Sequence, residues 1–271
     1  MDLVQTLLLA IIQGITELFP ISSVAHAVLT PWAFGWTLTP EFLKEHFLPF
    51  VVMLHLGTAV ALLGFFWRDW LDFIKSLFDG RAVAARRTLF LLIVGTIPAA
   101  LIGLVFEKLL KGIFSSVTSA AFFLLLNGVL LYAGEKLQKR GTRQVEELSF
   151  VQAILIGLAQ SLALIPGFSR SGASMVAGFW AGLSHEAAAR FSFLLAAPII
   201  LGASILELPK LAHAPAGTMG NAAIGGVVSG IVAFFSVWAL MAWFRKHEVN
   251  AMRPFAIYCW LVGALVLALN H

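Results

Sequence analysis

The sequence predicts an all-α polytopic membrane protein with six transmembrane helices and two re-entrant helical hairpins, arranged as an inverted-topology repeat. Two observations lead to this fold class. Of the 271 residues, 60% are hydrophobic and 12% are charged, and the mean hydropathy is +0.92, whereas a soluble domain carries about 25% charged residues. In addition, two apolar stretches, 13–26 and 166–174, are each interrupted by a proline with polar side chains beside it.

Composition also limits the partners and the domain count. The apolar runs follow one another so closely that we assign 1–271 to a single membrane domain. The net charge of +4 is spread over the loops, which suits anionic lipid headgroups, so we expect no nucleic-acid partner. Cys259 is the only cysteine, which excludes an intrachain disulfide and gives no basis for a zinc cluster.

The first hairpin is predicted from the opening run. Residues 3–19 are apolar except for Glu17 and a few small polar residues, and Pro20 then interrupts the helix. Ser22 or Ser23 can cap a second short helix that runs to about Thr30. Two short helices around a polar break predict a re-entrant hairpin, and a single kinked spanning helix is the alternative.

The second hairpin repeats this pattern at 148–182, with a break at Pro166–Gly167 and a short helix after Ser171–Gly172. Broken helices of this kind are tolerated in a membrane only where they line a cavity. We assign transmembrane helices to six further apolar segments, namely 47–67, 88–106, 112–134, 191–206, 222–244 and 254–270.

Loop charge predicts the orientation. The loops 68–87, 135–147 and 245–253 carry five, four and three Lys or Arg residues, so we place them in the cytoplasm and both termini outside. Each half then contains one hairpin and three spans, and the odd number of spans inverts the second half. The predicted repeats are about 1–134 and 148–271, with the first hairpin entering from the outer face.

The first break carries five polar side chains of chemical interest. Glu17 and Gln13 share one helix face, and an unpaired carboxylate in hydrocarbon costs roughly 2.5 kcal/mol or more, so Glu17 is expected to bind a metal, act as a base or hold an arginine. Ser22 and Ser23 begin a helix whose N-terminus favours anions. His26 lies one turn after Ser23, and a hydroxyl beside an imidazole is a minimal activated nucleophile.

Structural roles for these side chains stay open at this point. The two serines can act only as helix caps, His26 can bond a backbone carbonyl, and Gln13 can satisfy the backbone of the hairpin. His55, within a span, either packs or lines a cavity. Glu207 suits an interfacial position, and Glu186 and Arg190 read as an i, i+4 helix pair.

Arg170 is the distinguishing group of the second break, because it is the only charge between Glu147 and Glu186. A guanidinium offers a bidentate fork that suits phosphate oxygens, and glycine allows close backbone approach to a ligand. Arg170 could instead serve only as a structural partner of Glu17. We expect the two breaks to meet in one phosphate-handling site, to which the second break adds substrate-binding groups at Gly167, Ser169, Ser171 and Ser174.

Together the two motifs resemble those of the bacterial undecaprenyl-diphosphatase family of the bacitracin-resistance (BacA) type. The residues that carry the resemblance are Gln13, Glu17, Pro20, Ser22, Ser23 and His26 in the first motif and Pro166, Gly167, Ser169, Arg170 and Ser171 in the second. The chain departs from the family pattern at Val24 and Ala25, and Ser174 stands where a threonine is expected.

The resemblance implies hydrolysis of undecaprenyl diphosphate to undecaprenyl phosphate and inorganic phosphate, which recycles the lipid carrier of peptidoglycan synthesis. It implies a bacterial inner membrane location, a divalent cation, Mg²⁺ or Ca²⁺, with Glu17 as metal ligand, and bacitracin competing for the substrate rather than binding the protein. A homodimer is a further expectation. The implied catalytic residues are Glu17, Ser23, His26 and Arg170, and the expected substrate-binding residues of the first motif are Gln13 and Ser22.

The expected mechanism brings the diphosphate into the site from the outer face while the isoprenoid tail stays in lipid or in an apolar groove. Ser23 or an activated water attacks the terminal phosphoryl group, and His26 takes or returns a proton. A lipid flippase or anion transporter on the same scaffold is the competing hypothesis. A purely structural membrane subunit is a third, although the buried charges argue against it.

Overall fold

The computed structural model describes residues 1–106, 116–136, 141–247 and 250–270, and within these ranges the chain is helical with no β-strand. The first residues of the predicted span 112–134 and part of the basic loop 135–147 lie outside the described residues. The α-helices of the described ranges are α1 (Leu3–Thr16), α2 (Ser23–Ala33), α3 (Phe47–Phe65), α4 (Trp67–Ser76), α5 (Val83–Val105), α6 (Val117–Lys136), α7 (Phe150–Gln160), α8 (Arg170–Trp180), α9 (His185–Glu207), α10 (Thr218–Lys246) and α11 (Arg253–Leu269).

Five helical segments of the described ranges are long and apolar enough to cross a membrane, which confirms the all-α polytopic fold class. The sixth predicted span, 254–270, corresponds to α11, whose 17 residues lie at the short end of the spanning range. The five segments are Phe42–Phe65, Val83–Val105, Val117–Lys136, His185–His213 and Thr218–Lys246.

Both predicted breaks occur, and each separates two short helices that pack against each other. The first lies between α1 and α2, around Pro20. The second follows α7 and a 3₁₀ turn at Ser161–Leu164 and ends where α8 begins at Arg170, ahead of the start predicted at Ser171–Gly172. A hairpin requires two helical arms that contact each other across a break. Both segments have this arrangement, which differs from a single spanning helix.

The two hairpins occupy corresponding places in the bundle. The first arm of each, α1 or α7, packs against a long helix of the other half, α10 or α5 respectively. The repeats 1–134 and 148–271, and their inverted relation, stay a prediction.

Small residues allow the long helices to approach closely. Gly57 of α3 lies against Gly226 of α10, so that a β-carbon at Gly57 would be 1.8 Å from the Gly226 carbonyl oxygen. The helices α7 and α5 meet in a similar way, where a β-carbon at Gly157 would be 2.1 Å from the Gly95 carbonyl oxygen. Helices in lipid associate through van der Waals packing rather than hydrophobic burial, so close contacts of this kind hold the bundle together.

The interval 68–87, assigned from its charges to a loop, contains a helix. The span α3 ends at Phe65, and α4 (Trp67–Ser76) follows after one residue. The loop prediction was wrong here because four charged residues within 67–76 lower the mean hydropathy of the segment. The apolar residues between them have helical spacing, which the loop prediction did not take into account.

Replacing Gly57 by alanine is expected to lower stability by about 1–3 kcal/mol, because the added methyl group collides with the α10 backbone. The matched control is Gly64→Ala on the same helix, where a β-carbon meets nothing within 4 Å and where alanine gains roughly 0.5–1 kcal/mol of helix preference. Thermal unfolding of both variants in detergent checks the prediction, and equal midpoints would contradict it.

Candidate active site

Asn127, in the middle of α6, joins the two broken segments. Its amide nitrogen donates to the Pro20 carbonyl over 2.9 Å, and its amide oxygen accepts from the Ser169 backbone N–H over 3.0 Å. The side chain is fully buried, and buried main-chain polar groups must find partners. One amide therefore satisfies both breaks and fixes them side by side. Asn127 was not among the predicted site residues, although an amide in the middle of a span was the available signal.

An ion pair between the two breaks forms the centre of the site. Arg170 Nε and Nη2 lie 3.4 and 3.2 Å from Glu17 Oε1, and Nη1 donates to the Ser192 carbonyl of α9 over 3.0 Å. The side chains are only 12% and 4% exposed, respectively. The predicted meeting of the two breaks is thus confirmed, and Arg170 is held from two directions.

Ser23 and His55 complete a compact group around the other carboxylate oxygen. Ser23 Oγ donates to Glu17 Oε2 over 2.6 Å, and His55 Nε2 lies 3.1 Å from Oε2 and 3.4 Å from Ser23 Oγ. His55 Nδ1 is 2.8 Å from the Val51 carbonyl. A carbonyl can only accept, so Nδ1 carries a proton and Nε2 is the atom that faces the serine and the carboxylate.

His26 is placed differently from the expectation that it approaches Ser23. Its Nδ1 lies 2.7 Å from the Ser22 carbonyl and its Nε2 lies 2.7 Å from the Tyr258 hydroxyl of α11. No hydrogen bond joins His26 to Ser23 among the described residues. The bond back to the preceding turn directs the ring away from the break and towards α11. The imidazole beside Ser23 belongs instead to His55, which the sequence analysis had left between packing and lining a cavity.

A cavity of about 400 Å³ opens from this group, within the size range of small-molecule sites. At its polar end are Glu17, Ser22, Ser23, His55, Ser169 and Arg170. Most of its other lining is apolar and comes from three spans, including Val51 and Leu48 on α3, Ala99 and Leu104 on α5, and Ile199 and Leu206 on α9. The cavity therefore combines a charged floor with mostly apolar walls, to which Thr96, Gln160 and Glu207 contribute polar side chains.

Ser22 and Ser169 cap the two helices that begin at this floor. Ser22 Oγ accepts from the Ala25 N–H over 3.3 Å, and Ser169 Oγ accepts from the Gly172 N–H over 3.1 Å. Ser22 also has φ +68°, a conformation that costs a non-glycine residue of order 1–3 kcal/mol and that is concentrated at functional sites. Both capping residues line the cavity, so the N-termini of α2 and α8 face it.

Other predicted substrate-binding residues lie behind the cavity wall. Ser174 Oγ donates to the Arg170 carbonyl over 2.8 Å and lies 2.7 Å from the Ser192 hydroxyl, which is in turn a donor. Ser171 Oγ contacts the Phe19 carbonyl over 3.4 Å. Gly167, at φ +118°, packs against α6, where a β-carbon would lie 2.4 Å from Phe123. These three residues are surrounded by protein groups and do not line the cavity. Their contacts support the second break and Arg170.

Gln13 lies one turn before Glu17, and its Nε2 donates to Glu17 Oε2 over 3.2 Å. Its Oε1 is buried without a hydrogen-bond partner among the described residues. In the same ranges, no group of three or more His, Cys, Asp or Glu side chains could hold a metal ion on its own. A hard divalent cation takes oxygen ligands, so the Glu17 carboxylate and the Gln13 amide oxygen are the donors that fit one here.

Replacing Asn127 by alanine is expected to leave the Pro20 carbonyl and the Ser169 N–H unpaired, at a cost of about 1–3 kcal/mol for each group. Asn127→Asp keeps the acceptor for the Ser169 N–H and loses the donor to the Pro20 carbonyl. It should therefore lose hydrogen-exchange protection mainly in the first break. Thermal unfolding and hydrogen exchange at residues 18–23 and 166–171 check this. The alanine variant should lose protection in both segments, and protection lost in neither would contradict the bridging role.

Comparison with known proteins identifies relatives along nearly the whole chain. The sequence model of the family described as bacitracin resistance protein BacA matches residues 6–265. The chain is 52% identical over 270 residues to undecaprenyl-diphosphatase 2 of Oenococcus oeni, covering 99% of this chain and 98% of that protein. It is 49% identical to undecaprenyl-diphosphatase 2 of Chromobacterium violaceum, with 98% of each chain covered. It is also 46% identical to undecaprenyl-diphosphatase of Granulibacter bethesdensis, covering 100% of this chain and 98% of that protein. Matches of this extent and identity show that the chain belongs to the family of the bacitracin resistance protein BacA.

Proposed function

We propose that this membrane protein is a phosphatase that hydrolyses undecaprenyl diphosphate to undecaprenyl phosphate and inorganic phosphate, recycling the lipid carrier of peptidoglycan synthesis. The names of its relatives, which are undecaprenyl-diphosphatases, support this activity. The single observation that carries it is the buried group Glu17–Arg170–Ser23 at the floor of a largely apolar cavity. A lipid with a charged diphosphate head and a hydrocarbon tail matches such a site in both parts.

Binding of the diphosphate follows from the charges at the floor. A guanidinium has five N–H donors, of which the contacts to Glu17 and Ser192 use three. The N-termini of α2 and α8 add helix-dipole charge and first-turn N–H groups that have no partner within their helices. These donors would hold the terminal phosphoryl group, while the apolar walls contributed by α3, α5 and α9 accept the first units of the isoprenoid chain.

The chemistry is a displacement at the terminal phosphorus. Ser23 Oγ forms a bond to phosphorus while the bond to the bridging oxygen breaks, and undecaprenyl phosphate leaves. The serine proton passes to the Glu17–His55 pair, both members of which contact Ser23 Oγ. Water then releases phosphate from Ser23 and restores its proton. Attack by water, activated by the same two side chains, is the alternative to a serine intermediate, and Arg170 stabilises the transferring group in either case.

His26 has a supporting part in this scheme. Its ring connects the Ser22 carbonyl to Tyr258, so it holds the residue immediately before Ser23 in its left-handed conformation. We propose that His26 acts on the reaction by positioning the start of α2.

A divalent cation, Mg²⁺ or Ca²⁺, is part of the proposal. The Glu17 carboxylate and the unpaired Gln13 amide oxygen would hold it together with phosphate oxygens, as is common for Mg²⁺. When bound, it would supply charge neutralisation to the phosphoryl group.

The proposed location is the bacterial inner membrane, with the site open to the periplasmic side. The cavity lining extends to Leu48 of α3, Leu104 of α5 and Leu206 of α9. These positions lie near the ends of the three helices that are opposite to the Lys- and Arg-rich loops. Bacitracin is proposed to compete for the lipid substrate, and a homodimer is the proposed assembly.

Phosphate release from undecaprenyl diphosphate in detergent tests the activity, and it separates a phosphatase from a transporter because detergent abolishes sidedness. Wild type should release phosphate with Mg²⁺ or Ca²⁺ and lose this activity in EDTA. Arg170→Ala should lower kcat by about 10²–10³-fold through loss of transition-state stabilisation. Exposed Arg245→Ala is the matched control. Absence of release from folded wild type with either cation would overturn the proposed function.

The two histidines should give different signatures. His55→Ala removes a group that contacts the nucleophile, so kcat should fall about 10²-fold or more with little change in the unfolding midpoint. His26→Ala should lower the unfolding midpoint along with the activity, and Tyr258→Phe should reproduce part of its effect. If His26→Ala abolishes turnover at unchanged stability while His55→Ala stays active, the assignment of the two imidazoles is wrong.

A further inference from the structure

The helix α4 carries an apolar stripe that the rest of the protein does not cover. Trp67, Leu71, Ile74 and Phe78 follow the spacing i, i+4, i+7 and i+11, which places them on one face of a helix and its continuation. They are 52%, 41%, 55% and 87% exposed. Four large apolar side chains in a row form a contiguous patch, and such patches mark surfaces that contact another apolar phase.

The opposite face attaches α4 to the bundle. Phe73 and Ser76 are buried, and Asp69 forms an ion pair with Arg190 near the start of α9. The helix therefore cannot turn its apolar stripe inwards without breaking these contacts. The stripe faces outwards because of how the helix is anchored.

Two cations lie along one edge of the stripe. Arg68 and Lys75 are seven residues apart, so they project from nearly the same side of the helix, and both are exposed. The Arg68 guanidinium carbon lies 5.3 Å from the centre of the Trp67 ring, which fixes the cation beside the apolar surface. Exposed Arg81 follows after the helix ends. Asp72 projects further from the stripe, beyond the basic edge.

The place of α4 in the chain locates this surface. It follows α3 after one residue and precedes α5, and both of these helices are apolar enough to span the membrane. Ten residues of helix extend about 15 Å, which is too short to cross. A helix between the same-side ends of two spans, with apolar residues on one face and cations at its edge, has the pattern of a helix lying in the plane of the membrane interface.

We propose that α4 is an interfacial helix that binds acidic phospholipid headgroups. Trp67, Leu71, Ile74 and Phe78 enter the boundary between headgroups and acyl chains, and Arg68 and Lys75 pair with lipid phosphates at its edge. Charge complementarity favours acidic lipids over zwitterionic ones, since each cation near an anionic surface contributes roughly 1 kcal/mol. A second copy of this chain would bring the same cations together across the interface, which disfavours that occupant.

Native mass spectrometry of the purified full chain tests the lipid preference. Titration with phosphatidylglycerol or phosphatidylcholine should show tighter retention of phosphatidylglycerol by wild type. The Arg68→Gln/Lys75→Gln variant should bind it roughly 30-fold more weakly, because it lacks both cations. Arg245→Gln/Lys246→Gln is the matched control, because it removes two exposed charges from the end of α10. Equal affinity for the two lipids, or an equal loss in both variants, would overturn the proposal.

Fluorescence quenching tests the depth of the helix without removing any charge. Cys259 is fully buried, so an introduced cysteine can be labelled selectively. A bimane label at Leu71→Cys should be quenched by lipids spin-labelled on the upper acyl chain, and a label on the neighbouring Asp72→Cys should not. Equal quenching at both positions would overturn the proposal. Absence of quenching at Leu71→Cys together with crosslinking between two copies would assign the stripe to a dimer interface instead.

Discussion

Two opposite charges lie at the centre of an apolar bundle, and neither could remain there without the other. Glu17 and Arg170 come from separate breaks more than 150 residues apart in sequence, and each is almost fully enclosed. Removing one partner of a buried pair leaves an uncompensated charge, at a cost of about 3–5 kcal/mol. The two breaks must therefore lie side by side, and this brings together the helices that flank them, α1, α2, α7 and α8. The helix α9 is included through the contact of Arg170 with the Ser192 carbonyl.

The breaks bring a second requirement, because unpaired backbone groups are as costly as charges where water is absent. Asn127 meets this requirement for both segments at once, and Ser22 and Ser169 meet it for the helices that follow. The residues that satisfy the backbone at the breaks are therefore also those that place helix N-termini at the cavity.

A charged floor beneath apolar walls also explains how a lipid diphosphate can be handled inside a bundle. The hydrocarbon stays in contact with apolar side chains, and only the headgroup has to reach the enclosed Ser23–Glu17–His55 group. Beyond the site, α4 extends the same division of surfaces to the membrane boundary, where its apolar stripe and basic edge match the two layers of a lipid monolayer. The ion pair between Asp69 and Arg190 connects this helix to α9, the helix that also anchors Arg170.

The sequence by itself determined the fold class, the positions of both breaks and the identity of the central charged pair. These follow from local properties of the sequence. The length of an apolar run predicts a transmembrane helix, and the high cost of a charge in hydrocarbon singles out Glu17 and Arg170. The tertiary structure decided which imidazole stands beside Ser23, which serines face the cavity and which amide bridges the breaks. His26 is close to Ser23 in sequence and points to Tyr258, whereas His55 is 32 residues away and contacts it. Side-chain direction depends on partners supplied by distant helices, and no periodicity within a single segment records them.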